Sequence, residues 1–193
     1  MRAIFLDRDG VICENRPDPV KNWNEFEFLP GVKESMAALS RLGLPIIVFT
    51  NQAVIGQGEV PAEVVRDIHR RMVAEINAVG GRIDRVICCP HRPEDECACR
   101  TPRPGMLLQI ASETDIDLSQ SYLVGDTCAD LQAGQKAGCR TFLVLTGQST
   151  EQLGFALHST EGHFVTVARN LLEAVYYILK AELRIETEMS RQK

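Results

Sequence analysis

Residues Ala3-Ile-Phe-Leu6 carry no polar side chain and then stop at Asp7-Arg8-Asp9-Gly10, which sets two carboxylates one residue apart. An apolar run without alternation suits a strand covered on both faces, as in a parallel α/β sheet, where ligands bind beyond the strand carboxyl ends. Two carboxylates at one strand end repel each other unless a cation lies between them. A divalent cation would relieve that repulsion and leave one aspartate free to act as a nucleophile. Asp and Gly are also ordinary turn formers, so by itself the stretch is equally compatible with a structural turn. The other strand ends decide between the two.

The chain has 193 residues, enough for one domain with a proper core, and its 45% hydrophobic and 24% charged residues are ordinary for a soluble globular protein. A net charge of -5 argues against a polyanionic partner, so nucleic acid is not expected. The N-terminal apolar run meets Asp7 too early for a signal-peptide core. No apolar stretch approaches the ~20 residues of a membrane span, which predicts a cytoplasmic chain without a membrane partner. Seven cysteines in that compartment point to metal binding more than to disulfides.

Cys13 to Phe28 is polar and proline-containing and reads as a loop or flap beside the first strand. Pro30-Gly31 opens a helix with Val32, Met36, Leu39 and Leu42 on one face and Gly43 as its stop. Pro45 to Phe49 is a second buried strand, ending in Thr50-Asn51-Gln52, and Gly56 and Gly58 mark a mobile connection. Pro61 then starts a long amphipathic helix with Val65, Ile68, Met72, Ile76 and Val79 inward. His69, set among Arg66, Arg70 and Arg71, reads as a solvated position of that helix. Strands are expected at Ile83–Cys88, Ser121–Val124, Thr141–Leu145 and His163–Val167. Helices are expected at Pro104–Glu113, Cys128–Ala137 and Leu171 to about Glu186. Gln148 to Glu161, with His158, reads as surface loop, and Ser190 to Lys193 as frayed. Alternating strands and helices predict βαβ units in a doubly wound, Rossmann-like parallel sheet with all strand carboxyl ends on one rim.

That rim would gather Asp7 and Asp9, then Thr50 and Asn51, then Gly125-Asp126-x-x-x-Asp130. Asp126 supplies a further carboxylate for a hard cation, and Mg²⁺ fits best because it takes few carboxylates together with waters and phosphate oxygens. A second constellation is Cys89-Pro-His91 followed by Cys97-Ala-Cys99. Three thiolates and one imidazole across a short loop match a closed tetrahedral Zn²⁺ site, which ordinarily serves structure. The alternative for these residues is small buried hydrophobes. Cys13, Cys88 and Cys139 are expected to be buried.

The order Asp7-x-Asp9-Gly10, Thr50-Asn51, Gly125-Asp126-x-x-x-Asp130 resembles the haloacid dehalogenase (HAD) superfamily of aspartate-nucleophile phosphatases, over nearly the whole chain. Glu27-Phe28-x-Pro30-Gly31-Val32, Cys89-Pro90-His91, Cys97-x-Cys99-Arg100 and Pro104-Gly105-Met106-Leu107 are similar to the D-glycero-D-manno-heptose 1,7-bisphosphate phosphatases, with the histidinol-phosphatases as near relatives. The resemblance implies a single HAD-like phosphatase domain over residues 1–193, with no large cap domain and a zinc-binding loop at 89–99. Asp7 would be the nucleophile and Asp9 the acid and base. Mg²⁺ would sit on the Asp7 carboxylate, the Asp9 backbone carbonyl and Asp126, with Asp130 behind them. Thr50 and Asn51 would hold the reacting phosphoryl group, and Arg100 and Arg103 the other phosphate. The implied activity is removal of the 7-phosphate from the heptose bisphosphate by a monomeric enzyme. Histidinol-phosphate hydrolysis is the alternative, and a catalytically weakened binding protein of the same fold is a second.

Two departures stand out. The family has Lys after the arginine corresponding to Arg100, where this chain has Thr101. A hydroxyl cannot replace a cation, and compensation by Arg103, held between prolines, is the expectation, with Lys136 as a lesser candidate. Ala53, Val54 and Gln57 stand where the heptose enzymes usually have Ser, Gly and Arg. The short His91-to-Cys97 spacing resembles the histidinol enzymes, whereas Pro104-Gly105-Met106 resembles the heptose enzymes.

Overall fold

A computed structural model describes residues 1–147, 153–154 and 165–191 of the chain. In chain order the elements are β1 (Ile4–Asp7), α1 (Val32–Ser40), β2 (Ile46–Asn51), α2 (Ala53–Gly56) and α3 (Ala62–Ala78). After these come β3 (Arg85–Cys89), α4 (Gly105–Glu113), β4 (Tyr122–Gly125), α5 (Cys128–Ala137), β5 (Arg140–Val144), β6 (Val165–Ala168) and α6 (Leu171–Arg191). The six strands form one parallel sheet in the order β3-β2-β1-β4-β5-β6. This is the doubly wound arrangement the sequence predicts, and its direction of winding reverses between β1 and β4.

The side chains of β1 explain why it sits at the centre. Ile4 and Leu6 join a core with Val48 of β2, Val124 of β4 and residues of α1, α3 and α6. Phe5 points to the other face, against Phe49, Leu123, Met106 and Ile110. Both faces are covered, so every side chain of the run is apolar and fully buried. β1 pairs with β2 (Leu6 with Val48) and with β4 (Leu6 with Val124), so Asp7, Thr50 and Asp126 follow their strands at one end of the sheet.

Local differences from the sequence expectations have physical causes. The connection after β2 is a short helix rather than a plain loop, because Val54 is buried and seeds a small cluster with Val60 and Val65. Cys88 is half-buried, not enclosed, because β3 is the sheet edge. Cys13 and Cys139 are buried. His158 and His163 lie outside the described residues, as does nearly all of the expected loop at 148–161. Among the described residues no helix is long and apolar enough to cross a membrane.

Candidate active site

Asp7 is 9% exposed at the end of β1, and its carboxyl lies within 4.8 Å of those of Asp126 and Asp130. Burial pushes the Asp7 carboxyl well above the usual carboxylate range, and Asp130, Asp126 and Asp9 push it further, against a hydrogen bond from the Arg8 backbone. Asp130 is likewise raised, to about 7, first by burial and then by Asp126, although Thr127 and Thr101 oppose the shift. Three buried carboxylates that resist ionisation together are a donor set fitted to a divalent cation. Space around them is tightly allotted. A Cβ on Gly10, which has φ +85°, would run into the Asp126 carboxylate. The Gly10 of the opening motif therefore serves both the turn and the approach of Asp126.

The two oxygens of Asp130 are already engaged. Oδ2 accepts from the Thr127 hydroxyl at 2.6 Å and from its backbone N–H at 3.2 Å, a capping box at the start of α5. Oδ1 accepts from the Thr101 hydroxyl at 3.3 Å. These contacts fit Asp130 as support for the cluster, while Asp7 and Asp126, the latter also accepting from Asn15 Nδ2 at 3.3 Å, could hold a divalent cation.

Asp9 points elsewhere. Its carboxylate takes Arg8 Nη2 at 2.9 Å on each oxygen and Arg8 Nε at 3.1 Å, and Gln52 Nε2 donates to it at 2.8 Å. The same Gln52 amide donates to the Thr50 hydroxyl at 2.9 Å, tying β2 to the end of β1. Asp7 and Asp9, one residue apart, therefore differ in burial and in partners. A cavity of about 310 Å³ opens on this side, lined among others by Arg8, Asp9, Arg16, Asn51, Gln52 and Arg100. Asp7 and Thr50 are not in its wall.

The second constellation also comes together. Cys89 and Cys99 Sγ lie 3.2 Å apart, Cys97 is 3.5 and 3.3 Å from them, and His91 Nδ1 is 3.2 Å from Cys99. A tetrahedron with ~2.3 Å metal–sulfur bonds has edges of ~3.8 Å, close to this spacing. Burial holds the Cys89 thiol far above its ordinary value. The Cys97 thiol is brought down to about 7, against desolvation, by hydrogen bonds from Cys99, Cys89 and backbone amides. Donor set and spacing both fit Zn²⁺. The loop is joined to α4 where Gly105 N–H donates to the Ala98 carbonyl at 3.1 Å, an approach that leaves no room for a Cβ.

The arginines divide. Arg100 lines the cavity and also donates to the His91 carbonyl at 3.3 Å. Arg103, expected to reach the phosphate and compensate for Thr101, instead donates to the Cys97 carbonyl at 3.1 Å and stays outside the cavity wall. Lys136 is spent on the Pro102 carbonyl at 3.1 Å. Thr101 itself is buried, accepting from Asn51 Nδ2 at 2.7 Å and donating to Asp130. Arg16 was not singled out from the sequence, yet the 13–28 loop brings it to the cavity. A lone arginine in a polar loop offers no signal of that.

A family model described as HAD-hydrolase-like matches residues 98–174. The D-glycero-beta-D-manno-heptose-1,7-bisphosphate 7-phosphatase of Bordetella bronchiseptica is 39% identical over 153 residues, which cover 79% of this chain and 86% of that protein. The chain belongs to the heptose-1,7-bisphosphate 7-phosphatase family. A member from Neisseria meningitidis serogroup A is 36% identical over 93% of this chain and 96% of its own length. A crystal structure of the B. bronchiseptica family member, complexed with magnesium and phosphate, superposes with a TM-score of 0.86 at 34% identity, covering 94% of this chain and 99% of that one. Family membership accounts for the HAD-like sheet and for a phosphatase activity.

Proposed function

We propose that this protein removes the 7-phosphate of D-glycero-β-D-manno-heptose 1,7-bisphosphate by way of an aspartyl-phosphate on Asp7. The unequal setting of Asp7 and Asp9 carries the proposal: one carboxylate is buried in a cation-binding cluster and the other is held at the cavity wall by Arg8 and Gln52. A nucleophile needs the first setting and a proton carrier the second.

An Asp7 oxygen attacks phosphorus as the bond to the sugar oxygen breaks, and Asp9 delivers a proton to that leaving oxygen. Asp9 then takes a proton from the water that attacks the acyl phosphate, which frees phosphate and restores Asp7. Thr50 and Asn51 orient the phosphoryl oxygens at the end of β2. Arg100 and Arg16 face the cavity as guanidiniums able to grip the second phosphate by paired hydrogen bonds. Mg²⁺ on Asp7 and Asp126 would neutralise charge on the phosphoryl group. Zinc on Cys89, His91, Cys97 and Cys99, a monomeric chain, a single domain over 1–193 and a cytoplasmic location belong to the same reading.

Phosphate release with Mg²⁺ from the heptose bisphosphate and from histidinol phosphate, by wild type and D7N, tests the proposal. The expected result is a preference for the heptose ester of 100-fold or more and loss of turnover in D7N. A preference for histidinol phosphate would overturn the substrate. Turnover that survives D7N would overturn the mechanism, and wild type inactive on both esters would favour a binding role for the fold.

A further inference from the structure

The guanidinium of Arg8 is 1% exposed, and its nitrogens are shared between two side chains. Nε and Nη2 hold Asp9, while Nη1 lies 3.0 Å from Nε2 of His69 on α3. His69 is itself 8% exposed, not solvated as its arginine-rich surroundings suggest. Arginine carries only donors and keeps its charge. Nε2 of His69 is therefore an acceptor, the ring is neutral, and its proton is on Nδ1. Burial first and Arg8 second hold the His69 ring down at about 3, which agrees with a neutral acceptor.

A planar guanidinium at a single position can rotate about its own axis, and its fork then loses the carboxylate. In this protein one side of the fork is fixed by Asp9 and the other by His69, so the plane of Arg8 has one setting. Asp9 keeps 28% of its side chain exposed toward the cavity and takes its direction from Arg8, Gln52 and the Cys13 thiol, which donates to Oδ1 at 3.3 Å. We infer that His69 is a positioning residue for the reaction, acting through Arg8 to aim the Asp9 carboxyl at the leaving oxygen. The inference rests on the reading of Asp9 as proton donor given above.

The esters chosen for the test differ in their need for that proton. The heptose leaves its phosphate as an alkoxide and requires protonation, whereas p-nitrophenol leaves as a stabilised phenolate and does not. H69L removes the acceptor and H69Q supplies Oε1 near the place of Nε2. H69L is expected to lower kcat/KM for the heptose bisphosphate by about 10- to 100-fold, while kcat/KM for p-nitrophenyl phosphate, which covers only the attack of Asp7 and the loss of the phenolate and not the later hydrolysis that Asp9 also assists, changes less than about 3-fold. H69Q is expected to restore most of the loss. Equal losses on both esters, or no loss on the heptose ester, overturn the inference. D9N measured on the same pair tells two failures apart. If D9N shows the leaving-group difference and H69L does not, His69 is not the positioning residue. If D9N lacks it, the reading of Asp9 falls and the inference with it. The ring can also be read without any substitution, by ¹⁵N NMR of the wild-type protein. An Nδ1–H tautomer supports the contact, and an Nε2–H tautomer or an imidazolium at neutral pH overturns it.

Discussion

Thr101 donates its hydroxyl to Asp130 across 3.3 Å, at the position where the resemblance to the family leads one to expect a lysine. The same hydroxyl accepts from Asn51 at 2.7 Å, so a neutral hydrogen-bonded bridge joins the end of β2 to the carboxylate cluster. Asp7, Asp126 and Asp130 face one another within 4.8 Å, and Lys136 is bonded to the Pro102 carbonyl instead of reaching them.

Substituting T101K should restore the missing cation. A buried ammonium beside Asp130 and Asp7 opposes their mutual repulsion and steadies the charge of the transferring phosphoryl group. Steady-state kinetics should show kcat/KM rising about 10-fold, equivalent to about 1.4 kcal/mol. A fall in kcat/KM with the fold intact would mean that the Asn51–Thr101 bridge matters more than the charge.

The carboxylate cluster also predicts how stability follows pH. Asp7 and Asp130 have folded-state values above their ordinary 3.8, Asp130 at about 7. Their protonated forms are favoured by folding, so this contribution is full below pH 3.8 and is lost as pH rises toward and through 7. The Asp130 share should make magnesium-free protein less stable at pH 8 than at pH 5 by an amount on the order of 3 kcal/mol, read as the difference between wild type and D130N because neutral His69, held at about 3, works the other way below pH 6.5. Added Mg²⁺ should recover most of the difference at pH 8. Melts in both buffers, without a chelator that would strip zinc, check this.

Zinc removal should act on substrate binding as well as on stability. The Cys89 cluster anchors the loop that carries Arg100. C97S is expected to release the metal, lower Tm by about 10 °C and raise KM more than it lowers kcat. Metal analysis should give one zinc per wild-type chain and much less in the variant.

The arginines should separate cleanly. R16A and R100A are expected to raise KM for the bisphosphate about 10-fold or more while changing little for a heptose carrying only the 7-phosphate. R103A should lower stability modestly through the Cys97 carbonyl and leave that discrimination intact. Parallel KM measurements on the two esters settle both.

Asp7, Asp9 and Asp126 were legible in the sequence because an apolar strand that ends abruptly in acid has few other uses. The cluster of Cys89, His91, Cys97 and Cys99 was legible because four soft donors in one short loop have a recognisable spacing. The Arg103 contact was not, since its partner is a backbone carbonyl whose direction only the folded loop decides. Cys88 and the helix after Asn51 depended on which strand became the edge and on the burial of Val54, both tertiary outcomes. His69 did leave a trace: it lies four residues after Val65 and three before Met72, inside the stripe that α3 buries. Its basic neighbours on the outer face concealed that.

The position of β4 beside β1 has a consequence during synthesis. One edge of β1 is met by β2 soon after it emerges, but the other waits for Val124 to reach Leu6. At about 5–20 residues per second, that edge of Ile4-Phe-Leu6 stays unpaired on the ribosome for roughly 6–24 s. For that interval a fully apolar strand presents open backbone donors and acceptors to any neighbouring nascent chain. The stretch on which the proposed reaction depends is thus also the one most in need of shielding during synthesis.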